Sequence, residues 1–317
     1  MNLTMQLTPQ VTFFLFAYNQ EAFIRAACEA ALAQTYTPLK IILSDDCSTD
    51  KTFQIMKEIV ANYSGPHEVV LNRNEQNLGL IGHVNHAVTM ADTDLIVVAA
   101  GDDISLPDRT SAIVSAYQER KGMAFSFHSA VTKIDVQGSS LGLWEPPLTE
   151  NKPSAMALAD STSLVIGATH AWTKDVFQTF GPITYRRAYE DLVIAYRSAL
   201  LGGLHYINQP LVAYRVGNGG LSTSAWEPVK NKKERRARLV NGLMVSIDVL
   251  EQRRADCLTI REYSLAKALS HALWRNKISL FVYQQDMPIF KVFVLAIKHG
   301  CIHAFARAYS RRLRRVV

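Results

Sequence analysis

Four short apolar runs alternate with helix-periodic stretches over the first hundred residues. Val11 to Phe16 reads as a buried strand and is broken by Tyr18-Asn19-Gln20. Glu21 to Gln34 follows as a helix, with Phe23, Ala27, Ala30 and Ala31 on one face. Leu39 to Leu43 is a second strand, closed by Ser44-Asp45-Asp46-Cys47-Ser48. Thr49 to Tyr63 is helical, with Ser48 or Thr49 as its cap. Glu68 to Leu71 is a strand, Leu80 to Ala91 a helix, and Leu95 to Ala100 a strand ending on Gly101-Asp102-Asp103. Such alternation with short connections predicts an α/β fold, a mostly parallel sheet flanked by helices. Ligands of such sheets bind beyond the carboxyl ends of the strands. The polar clusters at Tyr18-Asn19, Asp45-Asp46 and Asp102-Asp103 are therefore expected on one rim.

Beyond Pro107 the pattern loosens. Pro107 to Gln118 reads as helix, Ala124 to Ala130 as strand and Leu141 to Pro153 as a long loop. Leu164 to Ile166, Ala171 to Thr173 and His205 to Tyr214 are short strand candidates, and Asp191 to Leu201 is a helix. From about residue 230 the chain is helical and amphipathic to its end. A chain of 317 residues, 48% apolar and 20% charged, can bury a large core without disulfides or metals, which excludes disorder and small stapled scaffolds. The four cysteines form no CxxC pair and read as reduced thiols. Met1 to Gln10 has no signal-peptide pattern, and no apolar run reaches membrane-span length.

The net charge of +6 sits at the C-terminus. Lys298 to Val317 alone carries +6 and no acid, so residues 1–297 sum to zero. Lys230 to Arg238 adds a local +5. Met287 to Val317 mixes apolar groups with arginine; it reads either as a surface for an anionic membrane or as a packed helix with a solvated basic end. Nucleic acid is not an expected partner, because no recognition-helix or aromatic RNA motif accompanies the basic runs.

Paired carboxylates at strand ends repel each other and call for a cation or hydrogen-bond donors. Asp102-Asp103 reads as a site for Mg²⁺ or Mn²⁺ with a diphosphate, or else as a solvated turn. Asp45-Asp46 reads as a nucleoside contact or as a helix cap, and Tyr18 as a base-stacking or a packing residue. His83 and His86 stand three apart without a third ligand.

Phe14 to Glu21, Gln34-Thr35-Tyr36 and Ile42 to Asp50 resemble the opening of family 2 glycosyltransferases of the GT-A fold. Asn77-Leu78-Gly79, Gly101-Asp102-Asp103 and Pro107-Asp108-Arg109 continue the likeness in order. Gly167-Ala168-Thr169, Phe180-Gly181-Pro182, Glu190-Asp191 and Pro210 to Arg215 extend it, so that it covers roughly residues 10–224. The resemblance implies a GT-A domain over 1–229, with a nucleotide-binding half at 10–106 and an acceptor half at 107–229, followed by a helical region at 230–317. It implies an inverting transfer from a nucleotide-diphosphate sugar to a saccharide or lipid-linked saccharide, in the cytoplasm or on its membrane. Phe16, Tyr18, Asn19, Glu21, Asp46, Asn77 and Asp102 are then donor residues, and Asp103 with Asp102 holds the metal. Asp191 is the base, with Glu190 as the competing assignment. By position, His170 and Trp172 are candidates for the acceptor side, with core packing as the other reading of Trp172. Cys47 stands where the family commonly has glycine, and Gly217 where many members have histidine. A non-catalytic nucleotide-sugar-binding subunit is a second reading, and a nucleotidyltransferase a third. The third is opposed by Phe14 to Glu21, which holds neither glycine nor a positive charge.

Overall fold

The computed structural model describes residues 8–120, 125–217 and 231–313. The strand start at Ala124, the boundary at 229/230, Lys230 and the last two arginines lie outside them.

The elements β1 (Val11–Ala17), α1 (Ile24–Leu32), β2 (Leu39–Asp45), α2 (Thr52–Ala61), β3 (Glu68–Arg73), α3 (Gly79–Met90) and β4 (Leu95–Ala100) follow in the expected order. β1 pairs in parallel with β2 and with β4, and β2 in parallel with β3. Alternate strand residues feed cores on opposite sheet faces. Phe13, Leu15, Ile41, Leu43 and Val97 enter one cluster, while Phe14, Ile42, Ile96 and Val98 enter the other. Burial on both faces is why these strands read as unbroken apolar runs. α2 starts later than expected because residues 46–51 remain loop. Its first turn is satisfied by Asp50, whose Oδ1 accepts from the Thr52 N–H, rather than by Ser48 or Thr49.

The second half contains β5 (Ile104–Ser105), α4 (Arg109–Glu119), β6 (Ser126–Ile134), β7 (Ser140–Trp144), α5 (Ala155–Leu158), β8 (Ala171–Thr173), α6 (Asp175–Phe180), α7 (Glu190–Leu200) and β9 (Leu204–Arg215). The sheet order is β3-β2-β1-β4-β8-β6-β9-β5, with β7 beside β6. The sheet is mixed, with its long pairings (β1–β2, β1–β4, β2–β3 and β6–β9) parallel as expected and its short ones antiparallel. The strands β1 to β4 are parallel, but β8 runs antiparallel to both β4 and β6. The expected loop at Leu141 to Pro153 contains most of β7. That strand lies on an edge with its residues largely in water, so Leu141 and Leu143 give no inside–outside alternation to read. Leu164 to Ile166 is buried but forms no strand.

Four helices complete the described chain: α8 (Lys232–Thr259), α9 (Tyr263–Gln284), α10 (Ile289–Lys298) and α11 (Ile302–Leu313). None of them is long and apolar enough to cross a membrane. Val249 and Leu250 of α8 and Leu269 and Leu273 of α9 share one apolar cluster with Phe14, Ile42 and Leu192. The α8–α9 hairpin is thus built into the core beneath the sheet. α10 and α11 pack on α9 around a smaller cluster of Ile278, Val282, Val292 and Ala296. Trp274 also stacks on His299, with ring centroids 3.5 Å apart.

Polar groups align α8 on the segment that carries α6 and α7. Asp248, Gln252 and Asp256 are spaced four apart and therefore share one face. Asp248 accepts from Arg187, and the Gln252 Oε1 accepts from Thr184 N–H at 2.9 Å. Arg197 and Asp256 form a fully desolvated ion pair, with Nε donating to Oδ2 at 2.9 Å and Nη2 to Oδ1 at 2.9 Å. The guanidinium also donates to Gly181 O and lies over Phe177 and Phe180. Removing one partner of such a pair leaves a buried charge. Asp256→Ala is therefore expected to lower unfolding free energy by about 3–5 kcal/mol in urea denaturation. A loss below about 1 kcal/mol would show that the pair does not hold α8 in place.

Candidate functional site

The β1 and β2 exits meet, and their loops are laced together by reciprocal bonds. Asn19 N–H donates to Ser48 Oγ at 2.9 Å, and Thr49 N–H donates back to Asn19 Oδ1 at 2.9 Å. Glu21 N–H donates to Asp50 Oδ2 at 3.0 Å, and Lys51 N–H donates to Glu21 Oε2 at 3.0 Å. Gln20 N–H reaches Thr52 Oγ1 at 2.7 Å. Asn19 and Glu21 thus have side chains engaged in fixing the loops, a role that sequence spacing did not reveal. Asn19 and Cys47 both adopt left-handed backbone, with φ 51° and 61°. That conformation is the reason glycine suits position 47. Between the loops, Tyr18 stands 45% exposed on the rim.

Asp46 is buried at the head of α3. Its Oδ1 accepts from Asn74 Nδ2 at 2.7 Å and from Leu78 N–H at 2.9 Å, and its Oδ2 accepts from Gly79 N–H at 2.9 Å. Asn77 is exposed and its Oδ1 accepts from the same Gly79 N–H. The cap reading of Asp46 is correct for α3 rather than α2. Asp45 lies deeper, accepting from Ser48 N–H at 3.0 Å and facing Arg73 Nε at 3.3 Å. Half-buried Phe16 packs edge-on against His83, centroid to centroid 4.8 Å. His83 Nε2 bonds Ser44 Oγ at 2.6 Å, and burial pulls its pKa down to about 4. It is a neutral packing histidine at pH 7.

The β4 exit packs tightly on the β1 exit. A Cβ on Gly101 would stand 2.4 Å from Gln20 Oε1 and 3.1 Å from Phe16 O. Next to it Asp103 is 5% exposed, and its Oδ1 accepts from Arg215 N–H at 2.7 Å. The Arg215 guanidinium donates to Asp102 O, Asp135 O and Val136 O, which joins the end of β9 to this turn. Fully buried Arg109 lies beneath, bonded to Ser105 Oγ and Val98 O. Burial and the neighbouring Asp102 charge push the Asp103 carboxyl well above the usual carboxylate range, against the pull of Arg109 and Arg215. Among the described residues no cluster of three or more His, Cys, Asp or Glu side chains could hold a metal. The chain offers two adjacent carboxylates here. That donor set fits Mg²⁺ or Mn²⁺ when water and diphosphate oxygens fill the remaining positions, and a cation would relieve the repulsion.

Glu190 and Asp191 open α7. Asp191 Oδ1 accepts from Leu192 N–H at 2.7 Å. A Cβ on Gly167 would lie 2.7 Å from Glu190 Oε1 and 3.7 Å from Asp191 Oδ2, so the 3₁₀ turn Gly167–Thr169 rests against the pair. Fully buried Arg253 of α8 bonds Leu192 O through Nε and Nη2, and Leu158, Ala159 and Ser161 carbonyls through Nη1. It stitches the first turn of α7 to the loop after α5. Burial and the Asp191 charge raise Glu190 to about 8, while burial raises Asp191 to about 6 against its own backbone N–H bond and the Arg253 charge. Both carboxyls are thus pushed upward, Glu190 more than Asp191, so the pair holds a proton more tightly than two separate carboxylates would.

The acceptor-side expectation for His170 and Trp172 is corrected. His170 is 1% exposed and Trp172 0%, because β8 is covered on both faces. Burial lowers His170 to about 3. Both are core residues rather than part of an accessible surface. Arg109, Arg215, Arg253, Gly101 and Gly167 are the site-building residues that sequence reasoning passed over as functional groups.

The family model for glycosyl transferase family 2 matches residues 12–177, just over half of the chain. The chain belongs to glycosyl transferase family 2. It is 30% identical over 215 residues to succinoglycan biosynthesis protein ExoO of Rhizobium meliloti, covering 67% of this chain and 57% of that one. It is 34% identical over 113 residues to the putative glycosyltransferase EpsE of Bacillus subtilis, covering 36% and 40%. The chain thus spans only about half, or less, of those relatives' own length. The fold matches S. aureus TarS 1–349 in complex with UDP-GlcNAc, with a TM-score of 0.57 at 14% identity and coverage of 96% and 92%. It also matches mannosyltransferase PcManGT from Pyrobaculum calidifontis in complex with GDP-Man and Mn²⁺, with a TM-score of 0.54 at 15% identity and coverage of 97% and 88%. The GT-A architecture of this family member is therefore shown by sequence and fold together.

The lacing gives a contrast to measure. Asn19→Ala removes a loop-fixing acceptor and should cost about 1 kcal/mol or more of stability. Tyr18→Ala, at a half-exposed rim position, should stay within about 0.5 kcal/mol of the parent. Equal denaturation midpoints for Asn19→Ala and the parent would remove Asn19 from the scaffold.

Proposed function

We propose that the chain is an inverting glycosyltransferase that moves a sugar from a nucleotide-diphosphate donor to a hydroxyl of a saccharide or lipid-linked saccharide in cell-surface polysaccharide assembly. The observation that carries this reading is the rim itself. A half-exposed tyrosine, a helix-capping aspartate, an adjacent carboxylate pair held by Arg215, and a half-buried acid pair opening α7 are built onto one family 2 scaffold. Relatives named for succinoglycan biosynthesis and neighbours holding UDP-GlcNAc or GDP-Man support the donor class.

In this reading Tyr18 stacks on the base and Asp46 receives its N–H, while Asn19 and Glu21 act by fixing the loop that carries Tyr18. Phe16 and Asn77 complete the walls of the base pocket. Asp102 faces the ribose, and Asp103 with Asp102 holds Mg²⁺ or Mn²⁺. The metal supplies charge neutralisation for the departing diphosphate. Asp191 accepts the acceptor hydroxyl proton as that oxygen attacks the anomeric carbon. Glu190, whose carboxyl burial and the Asp191 charge push upward, stands against Gly167. Arg253 keeps α7 in register, so the base depends on a helix outside the family-matched segment.

The outer face of α10 supports attachment to the cytoplasmic face of an anionic membrane. Phe290, Phe293, Val294 and Ile297 recur at helical spacing and are 72%, 37%, 46% and 52% exposed. Exposed Lys291 and Lys298 flank them. This is the geometry of a helix lying in the plane of a lipid interface.

Asp191→Asn is expected to lose transfer by about 10²-fold or more while keeping donor affinity. Near-parent turnover would take Asp191 out of the mechanism. The pH profile carries a sign. Asp191 must be ionised to accept a proton and titrates near 6, so kcat should fall on acidification below about pH 6 and level off above it. The same raised pKa costs folding stability as pH rises from about 4, the ordinary aspartate value, to about 6, because the folded state holds the proton more tightly. A rate that is flat from pH 5 to pH 8 would contradict the assignment.

A further inference from the structure

α8 contains a glycine in its interior. Gly242 sits ten residues into a helix that runs Lys232–Thr259. Glycine there costs about 0.5–1 kcal/mol relative to alanine, and close packing does not explain it, because an added Cβ would meet nothing within 4 Å. The space it faces is a cavity of about 540 Å³. Leu239, Leu243, Val249 and Leu250 of α8 give the cavity an apolar floor, and Tyr189 and Leu192 form part of its wall. Those two residues flank Glu190 and Asp191 in the chain. Leu239, Leu243 and Asn276 also line a second cavity of about 290 Å³, so the two make one trough. The trough leads from the head of α7 to His303, Arg307 and Arg311 of α11.

The charge along this trough is one-sided. Its lining carries Arg235, Arg238, Arg253, Arg275, Arg307 and Arg311 against the one lining acid Asp160. Asp160 pairs with Arg275, Glu234 pairs with Arg238 at 3.4 Å and Arg253 is bonded to backbone carbonyls, so the excess charge rests on Arg235, Arg307 and Arg311. Arg235, Arg307 and Arg311 are exposed. A long apolar floor under a row of cations is complementary to an amphiphile with a hydrocarbon chain and a phosphate or diphosphate group. The far end of the trough is on α11, which packs against α10 and its exposed Phe290–Ile297 face.

We propose that the Gly242 trough binds the acceptor as an anionic lipid-linked saccharide, with its chain on the α8 floor, its phosphate among the trough arginines and its sugar directed to the Glu190-Asp191 end. This deepens the transferase reading and rests on it for the word acceptor.

The test uses the full chain and n-dodecyl phosphate below its micellar concentration, titrated by calorimetry, with inorganic phosphate and n-dodecyl maltoside as probes lacking the chain or the charge. The structure predicts saturable binding of dodecyl phosphate, at least about tenfold tighter than either control. Gly242→Phe fills the trough and replaces glycine by a better helix former, so it should fold and weaken the probe by about tenfold or more. Arg235→Glu should weaken it about three- to tenfold. A double variant, Phe290→Ser with Phe293→Ser, should lose binding to vesicles of phosphatidylglycerol and phosphatidylcholine yet keep dodecyl phosphate. Unchanged affinity in Gly242→Phe, equal affinity for inorganic phosphate, or loss of the probe only in the α10 double variant would each overturn the trough assignment. The titration needs no donor, so its outcome stands apart from the fate of the transferase reading.

Discussion

Carboxylates placed side by side and half out of water repel each other, and each loses hydration it must replace. The rim of this sheet solves that problem at several places with different devices. Asp46 sits on the free N–H groups at the head of α3. Asp103 takes the backbone N–H of Arg215, with the Arg109 charge beneath it. Asp191 takes the N–H of its own helix and feels Arg253. Compensation is incomplete at two of these places: Asp103, Glu190 and Asp191 are all pushed upward in pKa by burial, a pattern that marks them as candidates for receiving a cation or a proton.

The supports come from distant parts of the chain. Arg215 closes β9, and Arg253 belongs to α8, beyond the family-matched residues 12–177. The C-terminal helices are therefore not an appendage to the rim. Asp248, Gln252, Arg253 and Asp256 lie along one side of α8 and fix the segment from Gly181 to Arg197, on which the acid pair stands. α10 and α11 sit one layer further out, on α9, where an apolar face remains in water. The molecule grades from a sealed α/β core to a basic, lipid-compatible edge.

Much of this was legible in the sequence, for physical reasons. β1, β2 and β4 are buried on both faces, so their residues must all be apolar, and the run itself marks the strand. The polar residues that end each run had to lie on one rim, since parallel strands share a direction. What stayed hidden depends on partners far apart in sequence. The exchange of bonds between Asn19 and Glu21 on one loop and Ser48 to Lys51 on the next is a fact of space, with no periodicity to reveal it. His170 and Trp172 look like site residues because polar and aromatic groups near a strand end usually are. Central placement between β4 and β6, with both sheet faces covered, makes them core. The burial of Arg109, Arg197 and Arg253 leaves no mark in the sequence, because only the fold shows the carbonyls and carboxylates that make it tolerable.

The measurement that bears most directly on the rim is a thermal-shift series of nucleoside diphosphates, each with and without Mn²⁺, on the parent and on Asp103→Ala. Ligand at a hundredfold excess over Kd stabilises the native state by about 2.7 kcal/mol. A rise with one nucleoside diphosphate that requires Mn²⁺ and vanishes in Asp103→Ala is the predicted result. The same rise without metal, or undiminished in the variant, would contradict the assignment of Asp103 to a metal–diphosphate site.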